Sequence, residues 1–294
     1  MIKIGPGLGS MYFSARKSGA APFVGPLDAL IAQGATLRHA SSVRRLLSNY
    51  TGPACRLTES GFGSEADFSF LADGTLDINA INIFTDIALN GENGPFQVTW
   101  QTAYDQSGWY NNATQTNQSL QPIFATGVEA KGAMQGTGSL RTLNVDLNNN
   151  FQPDIRPFFV LAVVNIANLS ASSRVLLGTS SSATLQIRQS FNSIHSAWGT
   201  TLQSTDAVPG KQTLGFLVDG VNSANYRNGV VQTTGNSGTT NLNLAFSRIG
   251  RSSVSTTSWF HTVNNTISEF IVFNGNPTTL PGWPAFVAAQ KAYF

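Results

Sequence analysis

The sequence predicts an all-β fold, a sandwich of two stacked antiparallel sheets. Three observations carry that expectation. Short runs rich in Val, Ile, Phe and Thr alternate with Gly, Asn, Asp and Ser clusters, and no helices are interleaved between them. Asp73-Gly74, Asp219-Gly220 and Asn228-Gly229 stand between such runs, and these are pairs that tolerate the positive φ of a tight hairpin turn. Only 11% of the 294 residues are charged while 41% are hydrophobic, so the polarity comes from Ser, Thr, Asn, Gln and Gly, as in a turn-rich β protein.

Taken in order, residues 1–36 read as an arm and 37–294 as one domain. Gly5, Pro6, Gly7, Gly9, Gly19, Pro22, Gly25 and Pro26 break the arm too often for a core element. Yet it holds Tyr12, Phe13, Phe23 and Val24, more apolar surface than a solvated tail keeps. A short helix is expected over 26–33, closed by Gly34. Ser41 or Ser42 is placed to cap a second short helix over 43–48. Strands follow at 54–59 and 65–71, and 77–89 suits a helix or an irregular apolar loop. The run from Phe96 to Tyr104 alternates, which sets Val98, Trp100, Thr102 and Tyr104 on one face. It enters a polar turn, Asp105-Gln106-Ser107-Gly108, followed at once by Trp109, Tyr110, Asn111 and Asn112. This is the densest local signal in the chain. It reads either as a rigid polar knot on the sheet or as a stacking platform, through Trp109 and Tyr110, for a sugar or a partner. Downstream, 157–164 is a continuous apolar run, as a central strand of a sandwich should be. Further strands are expected at 174–178, 184–188, 212–219, 244–249 and 266–274, and a terminal helix over 283–294 turns Phe286, Val287 and Tyr293 inward.

The net charge of +2 has no basic stripe, so nothing points to nucleic acid. No apolar run reaches the length of a membrane span, and the first residues lack the apolar segment of a secretory signal. The single cysteine, Cys55, excludes a disulfide framework and reads as a buried, inert thiol.

The segment YDQSGWYNNATQ resembles the W-Y-D-Q-S-G-x-x-N-x-x-x-Q signature of arabinofuranosidase B catalytic domains, with Ala103 in place of the first Trp. HASSVRRLLSNYTGPACRL, from His39 to Leu57, resembles the S-x-R-x-L...Y-x-G-x-x-x-x-x-R block of the same family, and the likeness spans roughly 37–130. Further on, 132–140 and the closing strand 266–274 resemble segments of laminin-G-like domains. Both resemblances imply a concanavalin A-like jelly roll. Segments of this kind also occur in bacteriophage virion proteins.

Hydrolysis of a glycoside needs two carboxylates across a cleft. Glu65 and Asp67, two apart on one strand, share a face, but Ser69 stands where glucanases of this fold carry a third acid. No acid downstream of the signature sits in a context that matches the arabinofuranosidases, so no enzyme is expected. Asp146-Leu147-Asn148-Asn149-Asn150 begins like a calcium loop but lacks its Gly and its closing Glu, and no metal or cofactor is expected. The sequence reading is therefore a non-enzymatic structural component of a tailed-phage virion, assembled in the host cytoplasm. Its arm, through Tyr12, Phe13, Arg16, Lys17, Phe23 and Val24, would dock on other virion proteins or on further copies of the chain. The alternative is a carbohydrate-binding module for host-surface glycans, with Asp105, Trp109, Tyr110, Asn111 and Asn112 as the binding residues. An arabinofuranosidase-like hydrolase using Glu65 and Asp67 is the weaker alternative.

Overall fold

The computed structural model describes the chain apart from residues 1–21, 61–62, 90–96, 126–130, 136–140, 148–156, 168–173, 179–185, 191–192, 198–200, 205–207, 239–246, 251–264 and 294. Among the described residues the strands are β1 (Thr36–Ser42), β2 (Cys55–Glu59), β3 (Glu65–Phe68), β4 (Val98–Ala103), β5 (Ala113–Thr114), β6 (Ile123–Ala125), β7 (Ala133–Gln135), β8 (Leu143–Val145) and β9 (Phe158–Ile166). They continue as β10 (Arg174–Gly178), β11 (Gln186–Ser190), β12 (Ser193–Ala197), β13 (Thr201–Ser204), β14 (Gly210–Val218), β15 (Ser223–Arg227), β16 (Val230–Gly235), β17 (Ser247–Ile249) and β18 (Thr266–Asn274). The α-helices are α1 (Asp28–Ala32), α2 (Ile78–Leu89) and α3 (Trp283–Tyr293).

The strands form the expected all-β sandwich. One sheet runs β16-β15-β14-β9-β18-β1, antiparallel at every step. The other runs β3-β2-β4-β5-β8-β17-β10-β11-β12-β13, also antiparallel. β6 and β7 form a corner that joins β4 to β18. The turn pair Asn228-Gly229 closes the β15–β16 hairpin with φ of 50° and 79°, as two successive left-handed residues require.

β9 shows why its sequence does not alternate. Val160, Ala162 and Val164 face the second sheet and pack with Phe216, Phe270, Trp100 and Met134. Phe159, Leu161 and Val163 face the other way, into a second core with Leu27 and Leu30 of α1, Leu46, and Trp283 and Phe286 of α3. The centre of the first sheet is thus buried on both faces, and α1 and α3 form its outer cover. Phe159 is the centre of that cover, with its ring 5.2 Å from Trp283 and 5.4 Å from Tyr226, edge to face.

Three local expectations are revised or narrowed. Residues 43–48 are not helical: Ser42 ends β1 with its hydroxyl on Glu269 (2.8 Å), and Val43 N–H donates across to the Ser268 carbonyl (3.1 Å). The cap side chain is spent on a buried acid, and the backbone is claimed by β18. In contrast, 78–89 does form a helix, α2, which buries Ile81 and sets Phe84 edge-on to Phe68 at 5.4 Å. The third revision concerns β4. Its pairing with β2 shifts register between Arg56↔Thr102 and Leu57↔Trp100, so Gln101 is an extra residue, a β-bulge. Trp100 and Ala103 therefore share the core, while Gln101 and Tyr104 reach across to Glu65 and Asp67 on the outer face. The strict period-two face of Val98, Trp100, Thr102 and Tyr104 does not exist.

The described part of the arm is seated on the domain. Leu27 and Leu30 are fully buried, each contributing about 1.5–3 kcal/mol by transfer from water. The Phe23 ring lies under the Arg45 guanidinium at 3.9 Å, against Gly74, where an added Cβ would come within 2.2 Å of the ring. Val24 is 75% exposed. Tyr12, Phe13, Arg16 and Lys17 lie outside the described residues.

Candidate functional site

The signature turn after β4 is a knot, and its polar residues tie it to β1. Asp105 is 4% exposed, and its carboxylate accepts from the N–H of Ala40 (2.9 Å), Ser107 (2.9 Å) and Asn111 (3.0 Å) and from the Ser107 hydroxyl (2.6 Å). Gln106 accepts from Leu46 N–H (2.7 Å) and donates to the Arg44 carbonyl (3.0 Å). Asn111 donates to the Arg38 carbonyl (2.7 Å), and Asn112 accepts from Asp105 N–H (2.9 Å). His39 completes the tie. Its Nδ1 lies 2.8 Å from the Asn111 carbonyl and must donate there, so Nε2 accepts from the Ser41 hydroxyl at 2.9 Å. Burial lowers the His39 pKa despite the nearby Asp105, so the ring is held neutral.

This geometry corrects part of the expected binding set. Asp105 and Asn111 (3% exposed) are buried: the Asp105 carboxylate is bonded to backbone N–H groups and the Ser107 hydroxyl, and the Asn111 amide N–H to the Arg38 carbonyl, so both shape the loop from beneath its surface. Trp109 (41% exposed), Tyr110 (83% exposed) and the half-buried Asn112 remain at the surface. Tyr110 has φ of 59°, a left-handed conformation that costs a bulky L residue about 1–2 kcal/mol. Such conformations persist where the surroundings hold them, often at functional sites. Here the flanking bonds of Asp105 to Asn111 and Ser107 do the holding.

Tyr110 and Asn112 line a half-open cleft of about 470 Å³. Its opposite wall is the segment from Leu47 to Pro53, with Asn49, Tyr50 and Thr51, and its floor includes Tyr104. Tyr50 donates its hydroxyl to the Pro53 carbonyl (2.7 Å), which stiffens that wall. The sequence reading did not pick out Asn49, Tyr50 or Thr51. The turn-forming Tyr50-Thr51-Gly52-Pro53 was a visible loop signal, but nothing in it told which loop it would face.

Tyr104 connects the cleft to the expected acidic pair. Its hydroxyl donates to Asp67 (2.7 Å), which also takes a bidentate bond from Arg56 (2.8 and 2.8 Å). The pairing Arg56↔Asp67 in the β2–β3 ladder sets that contact. Glu65 and Asp67 do share the exposed face of β3, and Glu65 accepts from Gln101. The Arg56 bond first, helped by Tyr104, holds Asp67 below the usual carboxylate range, while burial and Asp67 push Tyr104 up to about 12. Asp67 is therefore an anion at neutral pH, with both oxygens bonded to Arg56 and one also to Tyr104.

Elsewhere, Glu269 is fully buried in an ion pair with Arg44 (3.1 Å). Burial pushes the Cys55 thiol well up, which leaves it inert. No group of three potential metal ligands occurs among the described residues, and residues 148–150 of the calcium-like loop lie outside them. No helix among the described residues is long and apolar enough to cross a membrane.

No family model and no curated protein matches the chain. Solved structures do. A substituted GH54 α-L-arabinofuranosidase soaked with 4-nitrophenyl α-L-arabinofuranoside matches over 91% of this chain and 66% of its own, at 13% identity and a TM-score of 0.70. An arabinofuranosidase complexed with arabinofuranosyl-α-1,2-xylobiose matches over 91% and 65%, at 15% identity and a TM-score of 0.66. The chain thus spans about two thirds of the length of these enzymes. The Trypanosoma rangeli sialidase bound to sialic acid matches over 68% and 32%, at 15% identity and a TM-score of 0.47, too distant to carry an argument. The fold is therefore that of the arabinofuranosidase sandwich, as the sequence resemblance implied. The expectation of a non-enzymatic protein is corrected: these two structures, which share the fold over nine tenths of the chain, are glycoside hydrolases. At such identities the likeness carries the fold and leaves the reaction to the site.

Proposed function

We propose that this chain is a carbohydrate-recognising β sandwich that takes its ligand in the cleft beside Tyr110. The observation that carries this reading is Tyr110 itself. A large ring is kept 83% exposed, in a left-handed backbone conformation, at the wall of a cleft whose lining includes amides, hydroxyls and two further tyrosines. Exposed aromatic faces beside polar groups are what a sugar ring stacks on and hydrogen-bonds to. The fold neighbours are arabinofuranosidases, which makes α-L-arabinofuranosyl glycans the first ligands to try. On a glycan array the full chain should bind neutral glycans, and Tyr110→Ala should lose that binding while keeping its melting temperature. Silence of the unaltered chain across the array would end this reading.

Hydrolysis is the second reading, favoured by the exposed pair Glu65 and Asp67 on the face that Tyr104 joins to the cleft. Glu65 is the candidate proton donor and Asp67 the charge-stabilising anion. Release of 4-nitrophenol from 4-nitrophenyl α-L-arabinofuranoside, abolished by Glu65→Gln, is the outcome it requires. Carriage on a virion through the leading segment is compatible with either reading. The exposed Val24 beside the seated Phe23 favours it, and unchanged particle incorporation after deletion of residues 1–25 would count against it.

A further inference from the structure

Two clefts meet at the loop that carries Trp109 and Tyr110. The first, about 470 Å³, has Tyr110 in its wall. The second, about 510 Å³, lies against α1 and has Trp109 in its wall. Leu47, Asn49 and Ser107 line both, so the two clefts adjoin, and a ligand that spans them would form a trough with its saddle at Asn49 and Ser107. Each part is within the range of about 300–1,000 Å³ common to small-molecule sites. Asn49 is exposed, so its amide is available at the saddle to a ligand on either side.

Among the described residues neither wall holds a Lys, Arg or His. Each holds one aspartate, and both carboxylates are committed. Asp105 is bound within the knot, and Asp28 accepts from the N–H of Gly25 (2.7 Å) and Ser48 (3.0 Å). A sialic acid, uronic acid or sulfated sugar would find no counter-ion here and would face two anions. An uncharged sugar meets an aromatic ring on each side and amide and hydroxyl groups between them.

We infer that the trough takes an uncharged oligosaccharide laid across the saddle, with one unit against Tyr110 and another against Trp109. This rests on the glycan-recognition reading and adds two things to it, the length of the ligand and its lack of charge. Binding two linked units at once makes the second contact intramolecular, so affinity should rise steeply with chain length.

The test titrates the full chain with methyl α-L-arabinofuranoside, arabinofuranosyl-α-1,2-xylobiose, xylotetraose and sialyllactose. A three- or four-unit neutral sugar should bind about ten-fold or more tighter than the monosaccharide, and sialyllactose should not bind. Trp109→Ala should erase the gain from length, whereas Tyr110→Ala should weaken monosaccharide and oligosaccharide alike; circular dichroism confirms that each variant is folded. Equal affinity for one and three units, a length gain that survives Trp109→Ala, or sialyllactose binding at matched strength would overturn the inference while glycan recognition stood. Binding of none of the four, together with a silent array, would remove glycan recognition and this inference with it.

Discussion

Arg44–Glu269 and Arg56–Asp67 are the same kind of pair, an arginine facing a carboxylate across neighbouring backbone, and they differ in depth. Arg44 and Glu269 side chains are 7% and 0% exposed, beneath α3, with Gln290 and Ser42 bonded to the same acid. The Arg44 guanidinium also lies 4.6 Å over the Tyr293 ring. Arg56 and Asp67 are 40% and 39% exposed on the outer face of β2 and β3. The inner pair has every oxygen of Glu269 committed and nothing to offer a ligand; it pins the terminal helix to the sheet. The outer pair is geometrically as good, yet water competes with it and leaves it little weight in stability. What it retains is access, which is why the acid worth testing for chemistry lies on that face and not in the core. The Asp105 knot extends the lesson: a carboxylate in the family signature, beside the cleft, is architecture because its lone pairs are turned inward.

The largest effect should come from the inner pair. Glu269→Ala strands a buried guanidinium and should destabilise the fold by about 3–5 kcal/mol in urea unfolding; a loss under about 1 kcal/mol would erase the contrast. Asp105→Ala should follow at about 3 kcal/mol, since the N–H groups of Ala40 and Asn111 lose their acceptor in a water-poor site. His39 should appear as a pH effect. Its folded pKa lies below its unfolded value, about 6.5, so its stabilising contribution is complete above that value and is lost as pH falls towards the folded pKa. Melting temperature should therefore drop between about pH 7 and 5, and His39→Gln should flatten that slope. The smallest change belongs to the outer pair, where Arg56→Ala should cost about 0.2–1 kcal/mol. Asp67, held low in the native state, contributes above its unfolded pKa and loses that contribution as pH falls through the folded one, so its titration midpoint by NMR should rise in the variant. A stability loss from Arg56→Ala as large as that from Glu269→Ala would sink the distinction drawn here.

Much of the architecture was legible from residue order. The Asn228-Gly229 hairpin, the doubly buried β9, the closing strand and the terminal helix all lie where local chemistry put them, because turn propensity and apolar runs act over a few residues. The cleft was half legible. Trp109 and Tyr110 stood out beside a polar turn, and Glu65 and Asp67 do share a face. Asn49 and Tyr50 did not stand out, since a loop becomes a wall only when another loop is folded opposite it. The two misread stretches, 43–48 and the β4 face, share a cause: backbone groups that a helix or a regular ladder would have used were claimed by distant partners, Ser268 for one and Arg56 for the other.

By itself, then, the order of residues determined that this is a two-sheet sandwich with an aromatic-bearing turn after β4, and its motifs resembled those of the arabinofuranosidases. Only the tertiary structure decided which carboxylates are spent and which are open, that a single bulge at Gln101 carries Tyr104 to the outer face, and that two clefts share one wall. The reason is range: propensity and alternation are properties of neighbours in the chain, whereas burial and shared walls are set by segments brought together from far apart in it.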